Sequence, residues 1–270
     1  MAIDKSSNII PLGEVKSLLL DLMSTLDSFC REKGLRYSLA YGSLIGAIRH
    51  KGFIPWDDDI DVLMPREDYL RLISEFDAPF YKIYCQEKDY EYPITFAKLC
   101  DTRTLSIDQF GNKSPIAVDI FILDGMGASL EEANKRLRKV KRMYRVWSNQ
   151  LFSRRLPLRK DYGFLKNCYI LFAKIVSPFF RVDKIVKKTL SFKRSLPLEE
   201  SKYCGYLGGM FTVYETEKML DYTDTLFEDR LFRIPVEYDY QLRLVYGDYM
   251  KLPPMEQRVE THQATAYWVK

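Results

Sequence analysis

Histidine is nearly absent: His50 and His262 are the two in 270 residues. The five cysteines (Cys30, Cys85, Cys100, Cys168 and Cys204) form no C-x-x-C pair and have no neighbouring histidine. That scarcity argues against a zinc site, and the odd, scattered set reads as reduced and mostly buried thiols. No apolar run precedes a cleavage site at the N-terminus, so the sequence gives no expectation of a secretory signal, and a cytoplasmic location is expected. The longest apolar stretch, Phe164 to Phe180, is interrupted by Lys166, Asn167, Lys174 and Pro178. It falls short of the ~20 apolar residues that span a bilayer. Repeats and low-complexity tracts are also missing.

What remains is an ordinary globular composition, 47% hydrophobic and 29% charged, in a chain long enough to bury a core without staples. The net charge of +4 is unevenly spread. Between Lys135 and Arg194, 19 lysines and arginines stand against two acids, Asp161 and Asp183, which leaves the rest of the chain net acidic. An acidic catalytic part and a basic insert facing something anionic fit that division, and a solvated helical face is the plainer alternative.

Periodicity predicts a helix over Leu12–Lys33 capped by Gly34, and a short strand over Arg36–Ala40. A turn at Tyr41–Gly46 then leads into a second helix. Asp59–Met64 reads as a strand with Ile60 and Val62 on one face and Asp59 and Asp61 on the other. A helix after Pro65 and strands at Tyr81–Cys85, Thr95–Cys100 and Ile116–Leu123 follow. Glu131–Gln150 is expected to be a long basic helix, and Glu237–Tyr246 a short one. Phe164–Phe180 reads as a buried hairpin helix, with an interfacial helix resting on anionic lipid as the alternative. The expected class is α+β, a mixed β-sheet core flanked by helices with a basic helical insertion. The expected divisions are a catalytic core at 1–129, the insertion at 130–197 and a completing segment at 198–270.

The chemistry concentrates at Trp56-Asp57-Asp58-Asp59-Ile60-Asp61, four carboxylates in five positions. Such crowding is repulsive unless cations neutralise it. Asp59 and Asp61 leave the same face of a strand, and Asp119, an acid inside the apolar run Ala117–Ile122, can join them from a neighbouring strand. Three such carboxylates suit Mg²⁺ or Mn²⁺. Gly42-Ser43, at a strand-to-helix turn, offers backbone N–H groups and a hydroxyl to a phosphate. Arg49, His50, Lys51, Lys98 and Arg103 could offset phosphate charge. His262, close to Arg258, is open to three readings, as proton carrier, metal ligand or phosphate contact, and to a purely structural one.

These residues fall into a longer pattern. Residues 41–70, from Tyr41-Gly42-Ser43 through Trp56–Asp61 to Leu70, resemble the signature of the LicD family. The resemblance continues in Phe96–Leu99, Val118–Asp124, Tyr246–Pro254 and Arg258–His262, and is weakest in the basic middle. That family includes bacterial phosphocholine transferases and is similar to the fukutin-related ribitol-phosphate transferases. It implies a nucleotidyltransferase fold in which Gly42, Ser43, Asp59, Asp61 and Asp119 form the phosphate and metal site, with two Mg²⁺ or Mn²⁺ ions expected. It further implies a CDP-alcohol donor, CDP-choline first among them, and a hydroxyl acceptor on a cell-surface glycan or its lipid-linked precursor.

On this reading Asp59, Asp61, Asp119 and His262 are the expected catalytic residues. Gly42, Ser43, Arg49, Lys98, Trp56 and Arg258 are the expected substrate contacts. A quaternary ammonium would call for aromatic faces, for which Tyr41, Trp56, Tyr92 and Phe96 are candidates. Peripheral contact with the inner face of an anionic membrane is expected from the basic segment; nucleic acid is not an expected partner. Transfer that keeps the nucleotide on the acceptor, and a non-enzymatic basic binding protein, are the rival readings.

Overall fold

A computed structural model describes residues 8–109, 111–155, 163–176, 181–208, 212–259 and 264–269. The chain opens with β1 (Ile9–Ile10), α1 (Leu12–Lys33), β2 (Ser38–Leu39), α2 (Tyr41–Ile45), β3 (Ile60–Pro65) and α3 (Arg66–Glu75). Next come β4 (Tyr81–Tyr84), β5 (Ala97–Asp101), β6 (Thr104–Ile107), β7 (Lys113–Ser114) and β8 (Ala117–Gly127). Helices α4 (Leu130–Arg155), α5 (Phe164–Val176) and α6 (Val182–Lys193) precede β9 (Tyr203–Tyr206) and β10 (Tyr214–Glu215). The described chain closes with β11 (Tyr222–Phe227), β12 (Arg230–Pro235), α7 (Tyr238–Tyr246) and β13 (Thr265–Trp268). Mixed sheets with helices give the expected α+β class.

Two compact units emerge: unit 1 is 1–84, 96–123 and 214–270, and unit 2 is 85–95 and 124–213. The expected insertion at 130–197 falls wholly within unit 2.

Unit 1 is built on a mixed sheet whose strands run β4-β5-β8-β3-β2. β3 and β8 are parallel, while β5 lies antiparallel on the other side of β8. β8 is therefore the hub, and its apolar run is what a strand with neighbours on both sides requires. Val118 and Ile120 are fully buried on one face. α1 buries Leu19, Leu22, Met23 and Leu26 and ends as expected, with Gly34 in the left-handed region at φ 65°. Each fully buried leucine contributes roughly 1.5–3 kcal/mol. β1, β13, β6 and β7 make a second, four-stranded sheet, and β11 and β12 a hairpin.

Unit 2 packs α4 and α6 together. Its apolar clusters are Met126, Ala133, Leu137, Val140 and Leu207, and Trp147, Val182, Val186 and Leu190. α5 corrects an expectation. Of its described side chains Ile170 alone is buried, while Phe164 and Leu165 are more than 80% exposed. It is a surface helix, not a buried hairpin helix: it packs on α4 with Ile170 buried, while most of its large apolar side chains stay in water. Residues 177–180 of that reading lie outside the described residues.

Candidate active site

Register places the key side chains. Across β3, β8 and β5, Asp61 stands opposite Asp119, and Asp119 opposite Lys98. Directly paired residues project to the same face, so one row carries acid, acid and amine. Lys98 Nζ donates to Asp119 Oδ1 at 2.6 Å, and Asp119 is buried. Asp59 lies just before β3, two residues from Asp61. Burial, then the charges of Asp59, Asp119 and Asp57, hold the Asp61 carboxyl well above the usual carboxylate range, and Lys98 partly offsets them.

Gly42 and Ser43 are fixed to this row. The Asp61 backbone N–H donates to Ser43 Oγ at 2.8 Å, so the buried serine ties α2 to the start of β3. A Cβ on Gly42 would sit 2.7 Å from Asp57 Oδ2; its missing side chain lets that carboxylate approach the first turn of α2. A Cβ on Gly46 would sit 2.4 Å from the Gly52 carbonyl oxygen, which explains a glycine at the head of the π-helical turn Gly46–His50. That turn delivers Arg49 and His50.

Arg49, His50, Trp56 and Arg258 form a second cluster. Arg49 Nε donates to His50 Nε2 at 2.9 Å, and Arg49 Nη1 to the Tyr249 carbonyl at 2.5 Å. His50 meets Trp56 edge-on at 6.3 Å, and the Arg258 guanidinium lies 5.7 Å from the Trp56 ring centre. Burial and the nearby Arg258 lower the Arg49 pKa, and burial and Arg49 lower that of His50. Two guanidiniums this close favour an anion between them. The chain itself joins this cluster to the carboxylates, at Trp56-Asp57.

Aromatic rings continue the face of the acid row. Phe121, two residues beyond Asp119 on β8, packs edge-on against Tyr41 at 5.0 Å and tilted against Phe96 at 4.6 Å. Lys98 Nζ lies 5.3 Å from the Phe96 ring centre. A cavity of about 400 Å³ borders the row, lined by Asp59, Lys98 and Asp119 and by the polar Ser106, Asp108 and Asn112 among others.

Lys98, Asp59, Asp61, Asp119, Gly42 and Ser43 are thus brought together, and Arg49, Trp56 and Arg258 are grouped beside one another. His262 lies outside the described residues. Arg103 is committed elsewhere, bonded by two nitrogens to Asp101 at 2.6 and 2.9 Å. Tyr92 belongs to unit 2. Sequence reading missed Phe121, an aromatic hidden in an apolar strand. It also gave Tyr246 no role; the residue is 43% exposed, but shielding of its phenol end and the charges of Asp61, Asp57 and Asp59 among others raise its pKa. Its one signal was the run Tyr246-Gly247-Asp248-Tyr249.

The donor set suits a hard divalent cation, since oxygen ligands dominate and their repulsion needs a counter-charge. Among the described residues, however, no three His, Cys, Asp or Glu groups are already gathered as a metal cage. Lys98 supplies one counter-charge, on Asp119.

Residues 34–153 match a family model described as LicD/FKTN/FKRP, nucleotidyltransferase domain. The chain is 32% identical over 267 residues to the lipopolysaccharide cholinephosphotransferase LicD of Haemophilus influenzae, covering 96% of this chain and 98% of that one. An uncharacterised protein of Rickettsia typhi is 33% identical over 100 residues, 36% of this chain and 30% of its own. With likeness running almost end to end in both partners, and the acid row, Gly42 and Ser43 inside the matched domain, the chain belongs to the LicD family and is an enzyme of the transferase class.

Proposed function

We propose that the protein moves a phospho-alcohol, phosphocholine first among the candidates, from a CDP-activated donor to a hydroxyl of a cell-surface glycan or its lipid-linked precursor. The observation that carries this reading is the row Asp61, Asp119 and Lys98 beside Asp59. The Haemophilus relative, named for cholinephosphate transfer to lipopolysaccharide, supports the group and the acceptor class.

In this reading Asp59, Asp61 and Asp119 would hold two Mg²⁺ or Mn²⁺ ions. Such ions neutralise the diphosphate and stabilise the leaving phosphate. The acceptor oxygen attacks the phosphorus bearing the alcohol, the P–O bond to CMP breaks, and the acceptor proton passes to Asp119. Lys98 offsets charge on the transferring group, while Gly42 and Ser43 present the first turn of α2 to the donor phosphates. Arg49 and Arg258 grip the nucleotide half, with Trp56 as its stacking surface. Tyr41, Phe96 and Phe121 form an aromatic corner next to the row, which suits a quaternary ammonium. The cavity beside the row, with Ser106, Asp108 and Asn112, offers hydroxyl, carboxylate and amide partners to a sugar acceptor. His262 completes the proposed catalytic set as a proton carrier.

The test is turnover of CDP-choline, CDP-ethanolamine, CDP-glycerol and CDP-ribitol with Mg²⁺, Mn²⁺ or EDTA, with both products identified by mass. Release of CMP that EDTA abolishes supports the reading and names the group. A product in which the acceptor carries the nucleotide would establish nucleotidyl transfer instead.

A further inference from the structure

Unit 2 carries a surface that the active site does not use. On α5, Phe164, Leu165, Tyr169, Leu171, Phe172 and Ile175 are exposed by 50 to 83%. Single apolar side chains are normal on a protein surface, but six large ones on a helix of 13 residues make a patch with a purpose. The same unit supplies the charge. α5 packs against α4, and α4 against α6. Along these helices Lys139, Arg142, Arg145, Lys184, Lys187 and Lys188 are all exposed. From Lys135 to Arg194, 19 bases face two acids.

An apolar helix set among exposed cations matches an anionic lipid surface on both counts: hydrocarbon for the rings, phosphate for the bases. A second copy of the chain would satisfy the apolar face and oppose one strongly basic surface to another. None of the described helices is long and apolar enough to cross a membrane. At 1.5 Å per residue α5 reaches ~20 Å against a hydrocarbon core of ~30 Å. We propose that α5 lies in the plane of an anionic bilayer, its apolar side chains at the acyl boundary and the lysines and arginines of α4 and α6 on the lipid phosphates.

The molecule contains its own probe site. Cys168 on α5 is exposed, while Cys30, Cys85, Cys100 and Cys204 are buried. The full-length chain labelled at Cys168 with a polarity-sensitive dye would be mixed with vesicles of phosphatidylcholine and phosphatidylglycerol in equal parts, or of phosphatidylcholine alone. The expected result is a blue shift with co-sedimentation on the mixed vesicles, falling steeply as salt rises and ~100-fold weaker for Phe172→Glu combined with Ile175→Glu. Both positions are exposed, so that variant should melt like the parent. Equal binding to neutral vesicles, or no binding by a monomeric chain, would overturn the proposal. So would a lipid-independent blue shift that grows with protein concentration alongside dimers in sedimentation.

Discussion

Lys98 and Asp119 are joined twice, as opposed residues of the β5–β8 ladder and through a 2.6 Å bond from Nζ to Oδ1. Their side chains are 21% and 12% exposed, so neither charge is well hydrated. Lys98→Met should destabilise the fold by about 3 kcal/mol, since it strands a buried carboxylate, and lower turnover at least a hundredfold. Adding Asp119→Asn should restore the urea midpoint and leave the enzyme dead. If the single variant unfolds like the parent, the pair is not holding the sheet.

Asp61→Asn should abolish turnover yet stabilise the protein in EDTA, by ~1 kcal/mol. Asn keeps the shape and removes one charge from a row that repels itself. A lower melting temperature would show that the carboxylate has a structural partner.

Gly42→Ala and Gly46→Ala should part company. The added methyl at residue 42 meets the far end of the Asp57 side chain, which can swing away. Turnover should fall about tenfold with little change in melting. At residue 46 the methyl meets a backbone carbonyl that cannot move freely. That variant should lose a few kcal/mol of stability. Equal melting of the two would contradict the geometry.

Arg258→Ala and Trp56→Ala should each raise the KM for donor about tenfold, with smaller changes in kcat, because they would grip a part of the substrate remote from the reacting bond. The double variant should cost less than the product of the two, as the guanidinium and the indole act through each other. Losses confined to kcat would move them from binding to chemistry.

Acid should loosen a distant tie. Arg31 bonds Asp224 at 2.7 Å, joining α1 to β11, and holds that carboxyl below its ordinary value. A depressed carboxylate pKa contributes stability above the usual carboxylate range and loses it as pH falls through the folded-state value, from about pH 4 downward. Asp224 is 43% exposed, so the contribution should stay under ~1 kcal/mol. Urea midpoints of the parent and Asp224→Asn should differ slightly at pH 7 and draw together as pH falls below the usual carboxylate range. A constant gap would assign the difference to something other than charge.

Long elements were legible because their periodicity was. α1 with its Gly34 cap, β3 with alternating Ile60-Asp61-Val62, and α7 stand where the pattern places them. The acid row could be anticipated because Asp119 interrupts an apolar strand, a costly place for a charge. Strands of two residues such as β1, β7 and β10 carry no readable period, and the β11–β12 hairpin alternates too weakly, with charged Asp224 and Arg233 facing one another. Phe121 was invisible for the opposite reason: in an apolar strand one more aromatic says nothing until Tyr41 and Phe96 arrive beside it. α5 was misjudged because hydrophobicity reports a preference for leaving water and does not name the destination.

The strand β13 lies between β1 and β6, with Tyr267 opposite both Ile9 and Leu105. Ile9, Ile10, Thr265 and Ala266 all line the cavity beside the acid row. That wall is therefore a clasp whose two halves lie far apart in the sequence, and closing it costs more chain entropy than pairing the nearer strands that carry the acids. The row of carboxylates and the wall beside it thus rest on separate pairings, and a change that frees β13 would open the cavity on that side while leaving the row in register.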